Sequence, residues 1–387
     1  MDALILYVSI GSGHRRAAEV LAETFTRQVG WTCLTVDVLT LVWSGLPSLA
    51  NNMNAWLLKL AASFYEHYWG DHEALNPLDK VLVLTNMVGL MRELAAKHQP
   101  AVFVCTHALP ARILSLLWLK DGRSQPTINV ATDFMVNGLW PVERMSAFVV
   151  ASEAARARLV RRGYPTQHIH ALGIPVAAHF ATQAESQTRI RSRLGLANKP
   201  TLLAITGSLH NEPYVQSARV MSELFALWGS EETAVSPHAD LQIVVITGRN
   251  RENLLILQSL VQGLPWPVTL LPFVDNIGEW MVASDLMVTK PGGVTTAEAL
   301  SCAVPMLLLG IGPGQEQANA DLLVNEGCAV IGAKETAILG AQILRLLGDD
   351  ERLAQMRAAC WGLARPDAAQ EIARLAQCVA QAETIYE

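Results

Sequence analysis

Leu4-Ile5-Leu6-Tyr7-Val8-Ser9-Ile10-Gly11-Ser12-Gly13-His14 passes from an unbroken apolar run into a glycine turn. The same passage recurs at Thr201-Leu202-Leu203-Ala204-Ile205-Thr206-Gly207-Ser208. Each run has strand length and ends where glycine lets the backbone turn sharply. After the first, Ala17, Leu21, Phe25 and Gln28/Val29 recur at helical spacing and predict a helix over 13–28. Working outward, residues 33–38, 101–105, 127–131 and 147–151 read as further short strands. Beyond the second run, 242–246, 268–271, 286–288 and 306–309 do the same. Strands alternating with helical segments describe a parallel sheet covered on both faces.

Two such openings predict an α/β protein of two Rossmann-like, doubly wound domains, over 1–174 and 175–366. The join falls near Gly173-Ile174-Pro175, with a first helical stretch over 177–193. Ala368, Ile372, Leu375 and Val379 predict an amphipathic closing helix within 367–387. Doubly wound sheets bind ligands at the carboxyl ends of their strands. The loops of both domains are therefore expected to face a shared central cleft.

Composition narrows the function classes. The 387 residues are 51% hydrophobic and 17% charged, so a large core can form and disorder is excluded as the main state. A net charge of −6 argues against a general nucleic-acid binder. The charge is uneven: residues 1–175 carry +2 and the remainder −8. The first half is thus the better suited to an anionic surface. Cys33, Cys105, Cys302, Cys328, Cys360 and Cys378 form no C-x-x-C pair and read as reduced cytosolic thiols. Met1-Asp2-Ala3-Leu4 lacks a basic leader region, and no run of 18 apolar residues is present. Membrane contact, if made, is expected to be peripheral.

Three loops carry chemistry. In Ser9-Ile10-Gly11-Ser12-Gly13-His14-Arg15-Arg16, a dinucleotide reading would use Gly11, Gly13 and Asp37. The third glycine that it requires is replaced by Arg16. His14 stands at a helix entrance, where the positive end of the helix disfavours imidazolium and keeps the ring able to accept a proton. It reads equally as a general base or as a capping and packing residue. In the second loop, Lys290-Pro291-Gly292-Gly293-Val294-Thr295-Thr296 opens a helix whose free amides and hydroxyls suit a diphosphate. Glu298, farther along that helix, could accept two hydrogen bonds from a ribose diol; an acid complementing the helix dipole explains it equally. In the third, Gly310-Ile311-Gly312-Pro313-Gly314-Gln315-Glu316 places a Gln-Glu pair where it could read sugar hydroxyls or simply be solvated.

Taken together, P-G-G-V-T-T-A-E-A (291–299), P-G-Q-E-Q-A-N-A (313–320) and G-S-G-H-R-R-A-A-E (11–19) resemble the family-28 glycosyltransferases. The nearest by motif are the monogalactosyldiacylglycerol synthases and the processive diacylglycerol glucosyltransferases. Residues 130–134, 151–153 and 173–176 follow the same pattern, so the resemblance spans roughly 4–330. It implies a GT-B fold, with acceptor site in the first domain, UDP-sugar site in the second, and a closing helix that returns to the first. His14 then corresponds to the general base, and Gly13 to its loop. Gly207 and Ser208 correspond to the diphosphate loop, as do Gly292, Gly293, Val294 and Thr295. Phe273 and Val274 correspond to the uracil turn, Glu298 to the ribose ligand, and Gln315 with Glu316 to the hexose-reading pair. Arg249 matches a nearby basic residue, and Asp133 could orient the acceptor or His14. Retaining GT-B enzymes often carry a glutamate seven residues before the Glu298 position. That place is Pro291, which implies inversion.

The implied reaction moves a hexose from a UDP-sugar to a lipid hydroxyl, most naturally diacylglycerol. A polyprenyl lipid or apolar small molecule is the competing acceptor. A UDP-sugar epimerase, an NAD-dependent oxidoreductase or a nucleotide-sugar-binding protein are alternatives on the same kind of fold. No cofactor and no metal are expected: His67 and His72, and His168 and His170, lack ligand spacing, and no H-E-x-x-H occurs. The 40–70 segment departs most from the family pattern. From Val38 to Gly70 only Lys59 and Glu66 are charged, and Leu46, Leu49, Met53, Trp56, Leu60 and Phe64 recur at helical spacing. That stripe reads as a surface for the bilayer or an acyl chain, or as a helix buried between domains. The expected location is the cytoplasmic face of a membrane, peripherally bound.

Overall fold

The computed structural model describes residues 1–9, 12–43, 82, 86–122, 124–181, 186–206, 221, 223–225, 240–249 and 251–384. The chain forms two compact units. The first comprises Met1–Ala177, Pro313–Gln315 and Arg365–Glu387, and the second Ala178–Gly312 and Glu316–Ala364.

In the first unit, β1 (Ala3–Tyr7), β2 (Cys33–Asp37), β3 (Val102–Cys105), β4 (Thr127–Val130), β5 (Ala147–Val149) and β6 (Ile169–His170) form one parallel sheet in the order β2-β1-β3-β4-β5-β6. The central strands β1 and β3 are apolar throughout because both faces are covered, whereas β4 buries Thr127 and Asn129. Leu4, Leu6, Phe103 and Phe148 point to one face, against α3 (Met87–His98) and α4 (Ala108–Asp121) through Met91, Leu114 and Trp118. Ala3, Ile5, Val104, Ile128 and Val130 point to the other, against α1 (Gly13–Thr24) through Ala18 and Leu21. The short α2 (Val38–Trp43) and α5 (Glu153–Arg161) follow β2 and β5. Asp37, which a dinucleotide site would need, accepts the Leu39 N–H at 3.1 Å and so caps α2.

The second unit contains α6 (Gln187–Arg193), β7 (Thr201–Ile205), β8 (Gln242–Ile246), α7 (Arg251–Leu260), β9 (Val268–Leu271), α8 (Ile277–Ala283), β10 (Leu286–Thr289), α9 (Gly293–Ser301), β11 (Met306–Leu308), α10 (Gln315–Asn325), β12 (Ala329–Ile331), α11 (Thr336–Leu347) and α12 (Asp350–Leu363). Its six parallel strands run β12-β11-β10-β7-β8-β9. A 3-10 turn (Ala178–Ala181) and α6 occupy the stretch where the sequence predicts one helix over 177–193; 182–185 lie outside the described residues. The last helix, α13 (Ala368–Thr384), belongs to the first unit. Its Ala369, Ile372, Ala373 and Ala376 are buried in the cluster that holds Leu21 and Phe25 of the N-terminal helical segment.

In each sheet the strand order reverses direction once, between β1 and β3 in the first and between β7 and β10 in the second. Those reversals mark where a doubly wound sheet opens a crevice at the carboxyl ends of its strands.

Candidate active site

In the first unit, three segments leave the carboxyl ends of the neighbouring strands β1, β3 and β4 and converge on one cavity. His14, His107, Thr132, Asp133, Asn137 and Trp140 line it. Gly13 opens α1, and His14 follows it in the first turn. The His14 Nδ1 lies 3.0 Å from the Thr106 carbonyl oxygen and 2.7 Å from the Thr132 Oγ1. A carbonyl only accepts, so Nδ1 carries the hydrogen and Nε2 keeps its lone pair. The Thr106 hydroxyl donates in turn to the His14 carbonyl at 2.9 Å. Ring, backbone and both threonines are thereby locked together.

Burial disfavours the charged imidazolium and lowers the His14 pKa below the usual histidine value. The Asp133 carboxylate and the Thr106 carbonyl act in the opposite direction without overcoming it. A second imidazole, His107, meets His14 edge to face with ring centroids 4.6 Å apart. It is the N-cap of α4, where its Nδ1 accepts the Leu109 N–H at 3.0 Å. Burial, then the neighbouring His14, holds its pKa well below the ordinary value.

The cavity wall is braced from behind. The Ser152 hydroxyl donates to the Phe134 carbonyl at 2.6 Å and accepts the Ala155 N–H at the start of α5. The Arg162 guanidinium donates to the carbonyls of Asn137, Gly138 and Trp140 at 3.1, 3.1 and 2.7 Å.

In the second unit, the candidate residues lie along the carboxyl edge of the sheet in three groups. The Arg249 guanidinium, after β8, sits 4.9 Å from the centre of the Phe273 ring, after β9. Phe273 is 46% exposed, so this cation–π pair lies at the surface. Val274 follows it, half-buried. The second group is the start of α9: Gly292 is the N-cap in extended backbone, with no side-chain cap and no acidic residue in the first turn. Gly293, Val294 and Thr295 thus present first-turn N–H groups suited to an anion. Thr296 departs from the sequence reading. Its hydroxyl is buried and donates back to Gly292 and Gly293, so its side chain serves the helix. Glu298 lies farther along α9 and is buried.

The third group is Glu316 in the first turn of α10, whose carboxylate accepts from Lys290 Nζ at 2.6 Å and from Gly312 N–H at 2.9 Å. Asn319, fully buried on α10, donates to the Pro291 carbonyl at 3.0 Å and ties α10 to the loop before α9. Gln315 is grouped with the first unit, and its Oε1 is buried with no hydrogen-bond partner. Gly207 and Ser208, and nearly all of the 40–70 segment, lie outside the described residues.

Thr106, His107, Thr132, Arg162 and Lys290 had no role in the sequence reading. His107 carried a usable signal: it follows the 101–105 run at a helix start, as His14 follows the first run. Among the described residues, no three His, Cys, Asp or Glu side chains cluster as metal ligands. Nor is any described helix long and apolar enough to cross a membrane.

Comparison with known proteins agrees along the chain. Residues 14–176 match the family model of monogalactosyldiacylglycerol (MGDG) synthase, and 201–372 that of the glycosyltransferase family 28 C-terminal domain. The processive diacylglycerol beta-glucosyltransferase of Bacillus pumilus is 27% identical over 92% of this chain and 88% of its own. That of Bacillus cereus is 28% identical over 95% and 91%. Among solved structures, Acinetobacter baumannii MurG superposes with a TM-score of 0.64 at 17% identity, covering 97% of this chain and 99% of that one. With an MGDG-synthase domain followed by a family-28 C-terminal domain on two parallel six-stranded sheets, the chain belongs to the family-28 glycosyltransferases of GT-B fold.

Proposed function

We propose that this glycosyltransferase moves a hexosyl group from a UDP-sugar to the hydroxyl of diacylglycerol or of a glycosylated diacylglycerol, with inversion. The observation that carries the reading is the His14 imidazole, pinned through Nδ1 and held neutral with Nε2 free for a proton. The acceptor follows from the relatives, which are named for diacylglycerol. In the reaction the acceptor oxygen bonds to the anomeric carbon as the bond from that carbon to the diphosphate breaks. The hydroxyl proton passes to His14 Nε2. UDP leaves with its new negative charge met by the first-turn amides of α9, an electrostatic stabilisation that calls for no metal. One displacement inverts the carbon. Glu298 takes the ribose diol, Arg249 and Phe273 the base, and Gln315 with Glu316 the hexose. A diacylglycerol acceptor resides in a bilayer, so the enzyme works peripherally at its cytoplasmic face, and the 40–70 sequence is the segment suited to that contact.

The test is UDP release from a panel of UDP-sugars, with and without diacylglycerol in mixed micelles, for wild type and His14→Ala. Release that needs both lipid and His14 supports the reading and names the donor. A general base contributes about 10²–10⁴-fold, so His14→Ala should lose that much. Lipid-independent turnover to a different UDP-sugar would mean an epimerase instead.

A further inference from the structure

Lys290 is the first residue after β10, and its side chain crosses to the start of α10. Its ammonium lies 2.6 Å from the Glu316 Oε1, with the two side chains only 15% and 13% exposed. The other oxygen, Oε2, accepts the Gly312 N–H at 2.9 Å. A β-carbon at Gly312 would stand 2.9 Å from that same oxygen, so a larger residue there would push the carboxylate out of this position. The flanking Gly310 and Gly314 take φ of 59° and 76°, which fixes the loop's course in backbone that other residues avoid. The Glu316 carboxylate is therefore held at both oxygens, by a charge from one loop and an amide from another. Each oxygen can still accept one further hydrogen bond. An ion pair taken this far out of water is expensive to form, and the flexible lysine and glutamate would gain as much stability from apolar packing.

We propose that Lys290 is a positioning residue that aims the Glu316 carboxylate at the donor's hexose and so sets which sugar is accepted. This rests on the donor site of the proposed function. A sugar hydroxyl of the wrong configuration cannot reach a carboxylate that is fixed in place, whereas a loose carboxylate follows either epimer. Lys290 acts on the hexose only, because UDP by itself lacks the group that Glu316 meets.

The experiment measures KM and kcat for the preferred UDP-hexose and for its C4 epimer, and the inhibition constant of UDP. The proteins are wild type, Lys290→Met, Lys290→Arg, Glu316→Gln and the Lys290→Met/Glu316→Gln double variant. Lys290→Met should raise KM for the preferred donor tenfold or more and bring the epimer preference towards unity, with UDP inhibition within twofold of wild type. Lys290→Arg should restore part of the preference. The double variant leaves no buried charge unpaired, so it folds even where Lys290→Met does not. It should discriminate no worse than Glu316→Gln alone. A lysine that only staples two loops would weaken UDP and UDP-sugar alike, and that result overturns the inference. So does an unchanged epimer preference in a folded Lys290→Met. If wild type binds neither UDP nor any UDP-sugar, the donor site itself falls, and the inference with it.

Discussion

His14 shows how a single side chain is prepared by residues far away in sequence. Its two hydrogen-bond partners are 92 and 118 positions distant, and only the pairing of β1 with β3 and β3 with β4 brings them near. The sequence marks the histidine itself because a glycine turn and a helix start announce it. Thr106 and Thr132 carry no such local mark, since their roles come from strand order. Chemistry at this residue depends on pH in a defined direction. The His14 pKa lies below 6.5, chiefly through burial, and Asp133 is the charge that pulls it upwards. The acid limb of kcat/KM for wild type is therefore expected below 6.5, and Asp133→Asn should move it lower still. A pH–rate profile of the two proteins checks this. A limb at or above the ordinary histidine value, or an upward move in the variant, would sink the assignment of His14 as base. Stability follows the same sign. The folded pKa values of His14 and His107 are depressed, so the unfolded chain binds more protons as pH falls below 6.5, and stability drops through that window.

Among elements, ten of the twelve described strands were readable, the short edge strands β6 and β12 being missed, and the loops were not. A strand buried on both faces is apolar along nearly its whole length, and that pattern is visible without a partner, as in β1 and in β7 and β8 beyond their first residues, Thr201 and Gln242. The loop after β4 is shaped instead by groups arriving from α5 and the turn after it. Arg162 supplies donors to three successive stretches of carbonyl, at Asn137, Gly138 and Trp140, on the wall that faces His14. Asn137 and Trp140 are both buried, so water cannot readily replace those donors. Arg162→Ala is expected to destabilise the protein by about 1–3 kcal/mol, the cost of buried carbonyls left unpaired. Arg162→Lys should recover a part only, because one ammonium cannot reproduce a planar fork. Urea unfolding reads both, and a wild-type midpoint for Arg162→Ala would show that the carbonyls find other partners.

At the scale of the whole molecule, the first unit is discontinuous: its N-terminal 177 residues are completed by Arg365–Glu387. The spacing of Ala368, Ile372, Leu375 and Val379 predicts the helix, but periodicity cannot say which surface receives it. The family resemblance supplied that expectation, and the packing gives the reason. Small residues Ala369, Ala373 and Ala376 let α13 approach closely, and Ile372 fills the space beside Leu21 and Phe25. All four are at most 1% exposed. Ile372→Ala removes a buried side chain from a closed cluster and should cost about 2–5 kcal/mol. Ending the chain at Ala364 removes all four at once and uncovers the apolar face of α1. Hydrogen exchange then separates the units. Amides of β1, β3 and β4 should lose protection in the truncated chain, while those of β7, β8 and β10 keep theirs, since every strand of the second sheet lies before Ala364. Unchanged protection in the first sheet would mean that its core closes without the last helix. Loss in both sheets would mean that the two units unfold as one.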